Sequence, residues 1–121
     1  YKNGVDIIFQ AAGPTGLGVL EAAGENNSYA IGVDTDQGYL HPGYIVSSML
    51  KRVDTAVYSI VESIHKQGSI QDVYTFDVAN GGIGLARNEY YDKIVPQVIK
   101  DKIDEIEQKI ANGEIKVDTY E

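Results

Sequence analysis

The feature that most constrains this chain is the order of its first segments: an apolar run, a glycine-rich turn, a helix-like stretch and a second apolar run. Residues 5 to 11 form a largely apolar run with one early acid, the pattern of a strand covered on both faces of a parallel sheet. The turn Ala11-Ala-Gly-Pro-Thr-Gly-Leu-Gly18 follows. Thr15 is placed to cap a helix carrying Leu17, Val19, Leu20, Ala22 and Ala23, with Gly24 as its stop. Residues 29 to 33, "YAIGV", repeat the buried-strand pattern and run into "DTDQG". Strand, helix and strand in alternation point to an α/β sheet.

The rest of the chain extends the alternation. "YIVSSML" (44 to 50) is a third β-prone run. Val53, Ala56, Val57, Ile60, Val61 and Ile64 share one helical face, which predicts a helix to about Gln67 with Gly68 as terminator. "DVYTFDVA" (72 to 79) predicts another strand, and "NGGIG" the turn after it. A long amphipathic helix is expected from about Tyr90 to Asn112, with Pro96 in or near its first turn and Gly113 at its end. The tail, 114 to 121, is β-prone and is expected to form a last strand. At 121 residues and 43% hydrophobic, the chain has the size and apolar content of a single α/β domain spanning 1 to 121.

Charge narrows the function classes. Eighteen acidic residues against ten basic ones give a formal net charge of -8, and no segment clusters its cations, so nucleic acid is not an expected partner. The absence of cysteine excludes disulfides, thiolate metal sites and cysteine nucleophiles. His41 and His65 share no metal-ligand spacing, and neither a metal nor another cofactor is expected. No serine stands on a nucleophile elbow, so no catalytic residue is assigned. No apolar run approaches a membrane span of about 20 residues. "YKNGVDIIF" is neither a signal peptide nor a start at methionine, and "YKNG" reads like a helix end before a strand.

Four places remain where a ligand could be held. Gly13, Gly16 and Gly18 are spaced G-x-x-G-x-G, which matches neither the dinucleotide fingerprint nor the P-loop. The loop is therefore either a turn that needs glycine or a main-chain wall beyond a strand end, where open α/β sheets bind ligands. Asp34 ends the second strand and is placed to accept hydrogen bonds from vicinal hydroxyls; Asp36 lies two residues further into solvent, and both acids could equally serve as loop formers. Lys51 and Arg52 form a corner, one of them able to face the cleft and balance Asp34, or both solvated. "NGGIGLA" (80 to 86) is a turn that either approaches a ligand or simply closes a loop.

Taken together, "GVDIIFQAAGPTGLGVLEAA", "YAIGVDTDQ", "SSMLKRVDTAVY" and "GGIGLA" resemble the basic membrane protein family, the purine-nucleoside-receptor type of substrate-binding lipoprotein that serves bacterial ABC importers. The resemblance covers residues 1 to about 112. It implies an incomplete α/β lobe: the three-layer, parallel-sheet C-terminal lobe of a type I periplasmic-binding-protein fold, without the first lobe and without the first strand-helix unit, which carries a base-stacking aromatic in the family. It also implies a non-enzymatic solute-binding role, with a nucleoside as ligand and ABC permease subunits as partners. The location implied is extracytoplasmic, on the cell membrane, through a lipid anchor in a preceding segment. Asp34 corresponds to the ribose-hydroxyl acceptor, Lys51 to the residue that joins it, and Gly13 to the main-chain approach to the sugar. Pro14 departs from the family's usual loop and removes one N–H. An open strand position at the sheet edge is expected to favour self-association. The alternatives are a sugar- or signal-binding sensory relative of the same fold and, with no metal or phosphate site to support it, a nucleoside-processing enzyme.

Overall fold

A computed structural model describes residues 1–68 and 71–118. Four strands form one sheet in the order β1-β2-β3-β4: β1 Ile7–Phe9, β2 Tyr29–Asp34, β3 Ile45–Lys51 and β4 Ile83–Leu85. Four α-helices accompany them: α1 Leu17–Glu25, α2 Val53–Gln67, α3 Glu89–Ile94 and α4 Gln97–Ala111. β1, β2 and β3 are parallel, as the alternation predicts. Ala86 N–H donates to Ser48 and Arg52 N–H to Gly82, so numbers fall along β4 as they rise along β3. The fourth strand is therefore antiparallel, a common finish for an otherwise parallel sheet.

Contacts divide the chain into two compact units. The first comprises Tyr1–Lys51 and Leu85–Gln97. Its core is Leu20 and Ala23 of α1 against Ala30 of β2 and Ile45 of β3, all fully buried, with Tyr1 packed against them. β3 is covered from Ile45 to Ser48 without alternation, which its central place in the sheet requires. The end of α1 lies one residue past the glycine expected to stop it. Asn27 takes the left-handed conformation (φ 49°), and Ser28 N–H reaches back to Ala23 at 3.0 Å, so an asparagine and not Gly24 closes the helix.

The second unit comprises Arg52–Gly84 and the segment from Val98 onward. α2 spans the stretch that its periodicity predicts, and Gly68 (φ 67°) ends it through a 2.8 Å bond to Ile64. The strand expected over 72 to 79 is not formed. Asp77 and Asn80 exchange backbone-to-side-chain bonds at 2.9 and 3.1 Å, Asn80 also donates to Thr75, and Gly82 folds back on Asp77. Those side-chain bonds satisfy the backbone locally, and the strand begins at Ile83, inside the stretch expected to be the turn. The long helix expected from Tyr90 is two helices, because Val95 is extended before Pro96 and α4 starts only at Gln97. Gly113 (φ 76°) ends α4. Residues 114 to 118 form no strand, and the remainder of the expected tail strand lies outside the described residues.

Candidate functional site

The parallel strands of the first unit deliver three segments to the same edge of the sheet. Phe9 pairs with Ile31 and Asp34 with Leu50, so the chain leaving β1, the end of β2 and the end of β3 are neighbours in turn. Gly13 leads out of the first, Asp34 ends the second and Lys51 ends the third. This is the carboxyl edge at which open α/β sheets take their ligands.

Gly13 has φ 56°, and open space surrounds the point where a Cβ would stand. Its glycine character answers to backbone conformation, with no close packing at that point. It opens a short 3-10 turn, Gly13–Gly16, in which Pro14 occupies an early position. A missing N–H costs little there, since the first donors of a helical turn have no partner within it. Thr15 lies inside this turn and makes no cap; Gly16 is the N-cap of α1. Of the two remaining loop glycines, only Gly16 is crowded: a Cβ there would collide with the Gln10 side chain, whereas Gly18 has open space.

Asp34 is exposed and has φ 69°, and Thr35 N–H bonds Val33 C=O across it at 2.9 Å. This is the rarer, strained form of γ-turn, which aspartate tolerates better than most side chains. Lys51 is also exposed. Among the described residues no ion pair joins Asp34 to Lys51, and both are open to solvent.

Around these residues runs a set of polar side chains, of which the sequence reading singled out only Asp36. Gln10 is 4% exposed at the end of an apolar strand, and its Oε1 accepts Ala12 N–H at 3.1 Å, shaping the loop to Gly13. Gln37 Oε1 accepts Val33 N–H at 2.9 Å, and Gln37 N–H donates to the fully buried Ser48 Oγ at 3.0 Å. Asp36, read from sequence as an outlying acid, accepts Asn88 Nδ2 at 2.9 and 3.0 Å and Gly38 N–H at 3.0 Å. Asn88 in turn caps α3 through Tyr90 and Tyr91 N–H, both at 2.9 Å. The available signals were a glutamine in the run "IIFQAA" and paired serines in "YIVSSML", polar residues where the pattern calls for apolar ones.

The Asn80 to Ala86 stretch spends its glycines on its own turn: Gly81 has φ 74°, and Gly82 lies against Phe76. Among the described residues no group of three or more His, Cys, Asp or Glu is gathered to hold a metal ion, and no helix is long and apolar enough to cross a membrane.

A family model for PnrA-like ABC transporter substrate-binding proteins matches residues 1–121. Basic membrane protein D of Borreliella burgdorferi strain JD1 is 40% identical over 121 residues, which is 97% of this chain and 35% of that protein. Basic membrane protein A of Borreliella afzelii is 34% identical over 97% of this chain and 36% of its own length. The chain thus spans about a third of the curated relatives it matches. Among solved structures, an ABC transporter system solute-binding protein from Aeropyrum pernix K1 superimposes with a TM-score of 0.82 at 24% identity, over 99% of this chain and 42% of that one. A transcriptional activator of the comK gene from Bacillus halodurans gives 0.79 at 22% identity, over 91% and 38%. These two likenesses establish a shared fold, an α/β sheet of the solute-binding-protein kind. With the match over its whole length, this chain belongs to the family of PnrA-like ABC transporter substrate-binding proteins.

Proposed function

We propose that this chain is part of the C-terminal lobe of the solute-binding component of a bacterial ABC importer, and that it contributes the sugar side of a nucleoside site. The observation that carries the reading is the adjacency of Gly13, Asp34 and Lys51 at the carboxyl edge of three neighbouring parallel strands. A carboxylate there accepts from two vicinal ribose hydroxyls, the lysine ammonium donates to a sugar oxygen, and the main chain at Gly13 lies against the uncharged ring. Transport requires capture and release with no bond made or broken, and no residue is assigned to catalysis. The partners proposed are ABC permease subunits, and the location is the outer face of the cell membrane through a lipid anchor elsewhere in the longer protein.

The test is Asp34→Ala in the full-length protein, with inosine titrated by calorimetry. Each charge-assisted hydrogen bond is worth about 1.5–3 kcal/mol, so affinity is expected to fall by at least about tenfold with the melting temperature little changed. Unchanged affinity removes the assignment. A sensory role is the second reading, favoured by the fold shared with the Bacillus halodurans activator. Competition separates the two: a transporter of nucleosides prefers inosine to free ribose, and a sugar sensor the reverse. Hypoxanthine released during incubation with inosine would point instead to an enzyme.

A further inference from the structure

Three polar residues each stand three positions from a residue assigned to the ligand: the buried Gln10 before Gly13, the half-buried Gln37 after Asp34 and the buried Ser48 before Lys51. Gln37 is the hub. Its Oε1 receives Val33 N–H at 2.9 Å and is approached by Gln10 Nε2 at 3.4 Å, and its own N–H is fixed to Ser48 Oγ at 3.0 Å. Alternate N–H groups of β2 face β1, as Tyr29 shows by donating to Asp6, but β1 ends at Phe9, opposite Ile31 and two residues short of Val33. Val33 N–H therefore lacks a strand acceptor on that side, and the Gln37 carboxamide replaces it. Space is kept for the exchange: a Cβ on Gly32 would stand 2.5 Å from Ser48 Oγ and 2.6 Å from Gln37 Oε1.

We propose that Gln37 is a positioning residue, which holds Asp34 in its left-handed conformation and so aims the carboxylate at the ligand; this rests on the reading of Asp34 as the hydroxyl acceptor. The γ-turn bond from Thr35 to Val33 is local and fixes nothing relative to β3. The ladder already pairs Val33 with Met49 and Asp34 with Leu50. The two bonds of Gln37 add a side-chain tie from Val33 N–H, on the other side of β2, to Ser48 of the strand that carries Lys51. Without them Asp34 relaxes toward the extended region that its neighbours on β2 occupy, and the carboxylate turns away.

The test uses the full-length protein with inosine as probe. Gln37→Ala is expected to weaken binding about tenfold, the scale of a lost hydrogen-bond pair. Gln37→Glu keeps the accepting oxygen and is expected to stay within about threefold of the parent, whereas Gln37→Met, of similar size but without that oxygen, is expected to lose as much as Gln37→Ala, a loss that a general packing role does not produce. In an Asp34→Ala background, Gln37→Ala is expected to cause no further loss. Parental affinity in Gln37→Ala, an equal loss in Gln37→Glu, or a loss that adds in full to that of Asp34→Ala each overturns the proposal. Parental affinity in Asp34→Ala alone removes the underlying ligand assignment, and the proposal with it, a result distinct from those three. Should Gln37→Ala not fold, Ser48→Ala, which removes the acceptor of Gln37 N–H, is carried through the same cycle with the same expectation.

Discussion

Two glycines show how differently one substitution acts at the residue scale. At Gly82 a Cβ would be driven into Phe76 Cβ and would stand 3.0 Å from its Cα, with no flexible group able to yield. Gly82→Ala is expected to cost about 1–3 kcal/mol by chemical denaturation, the range for overpacking. Gly18, inside α1 with open space around it, is the converse: Gly18→Ala should add about 0.5–1 kcal/mol through backbone entropy. An unchanged Gly82→Ala protein would show that the turn at Phe76 has slack. Sequence alone could not separate these glycines, because crowding is a property of the neighbours. The same limit applies to the site. Gly13, Asp34 and Lys51 were legible as residues at the ends of apolar runs, where α/β sheets expose the chain. Gln10, Gln37 and Ser48 were not, since single polar residues leave the hydrophobic period intact and the bonds that join them to one another span 27 and 11 positions.

Among the elements, the short helix α3 depends most on one side chain. Asn88 both caps it and reaches Asp36, so Asn88→Ala should cost about 0.5–2 kcal/mol as a cap, observable as earlier amide exchange across Glu89–Ile94. α4 shows electrostatics of a different kind. Hydrogen bonds from Lys102 and Lys109, with their charges, hold the exposed Glu105 carboxyl down to about 2. Because the folded value lies below the ordinary 4.5, any stability from this cluster is present above that pH and is lost as pH falls toward 2. Replacing both lysines by alanine should return the Glu105 midpoint to the ordinary carboxylate range in an NMR titration; a midpoint still near 2 would place the cause elsewhere. Elements with a strong period were readable: α2 spans its predicted stretch. Those decided by side-chain bonds to backbone were not. The Asp77 and Asn80 turn displaced a strand whose β propensity was real, and Pro96 with the extended Val95 divided a continuous amphipathic pattern.

For the whole molecule, the sheet order leaves β1 at an edge, with Ile7 40% and Phe9 55% exposed. Such an edge invites pairing, and the 121-residue chain in isolation is expected to self-associate with rising concentration. Phe9→Lys should suppress this in sedimentation experiments, whereas association that survives it must use another surface. On the reading proposed above, the full-length protein supplies the remainder of the site and is expected to bind inosine far more tightly than the isolated chain. The α/β class was legible from alternation, but its completion was not, because about two thirds of the relatives' length lies outside the matched region. The separation between the proposed contact residues and the polar residues that support them has one more consequence. Gly13, Asp34 and Lys51 face outward from strand ends, while Gln10, Gln37 and Ser48 spend their hydrogen bonds inward. On the reading proposed above, the outward set can be rewritten for a different solute while the inward set stays fixed, so new binding specificities are open to this scaffold by substitutions that leave its foundations untouched.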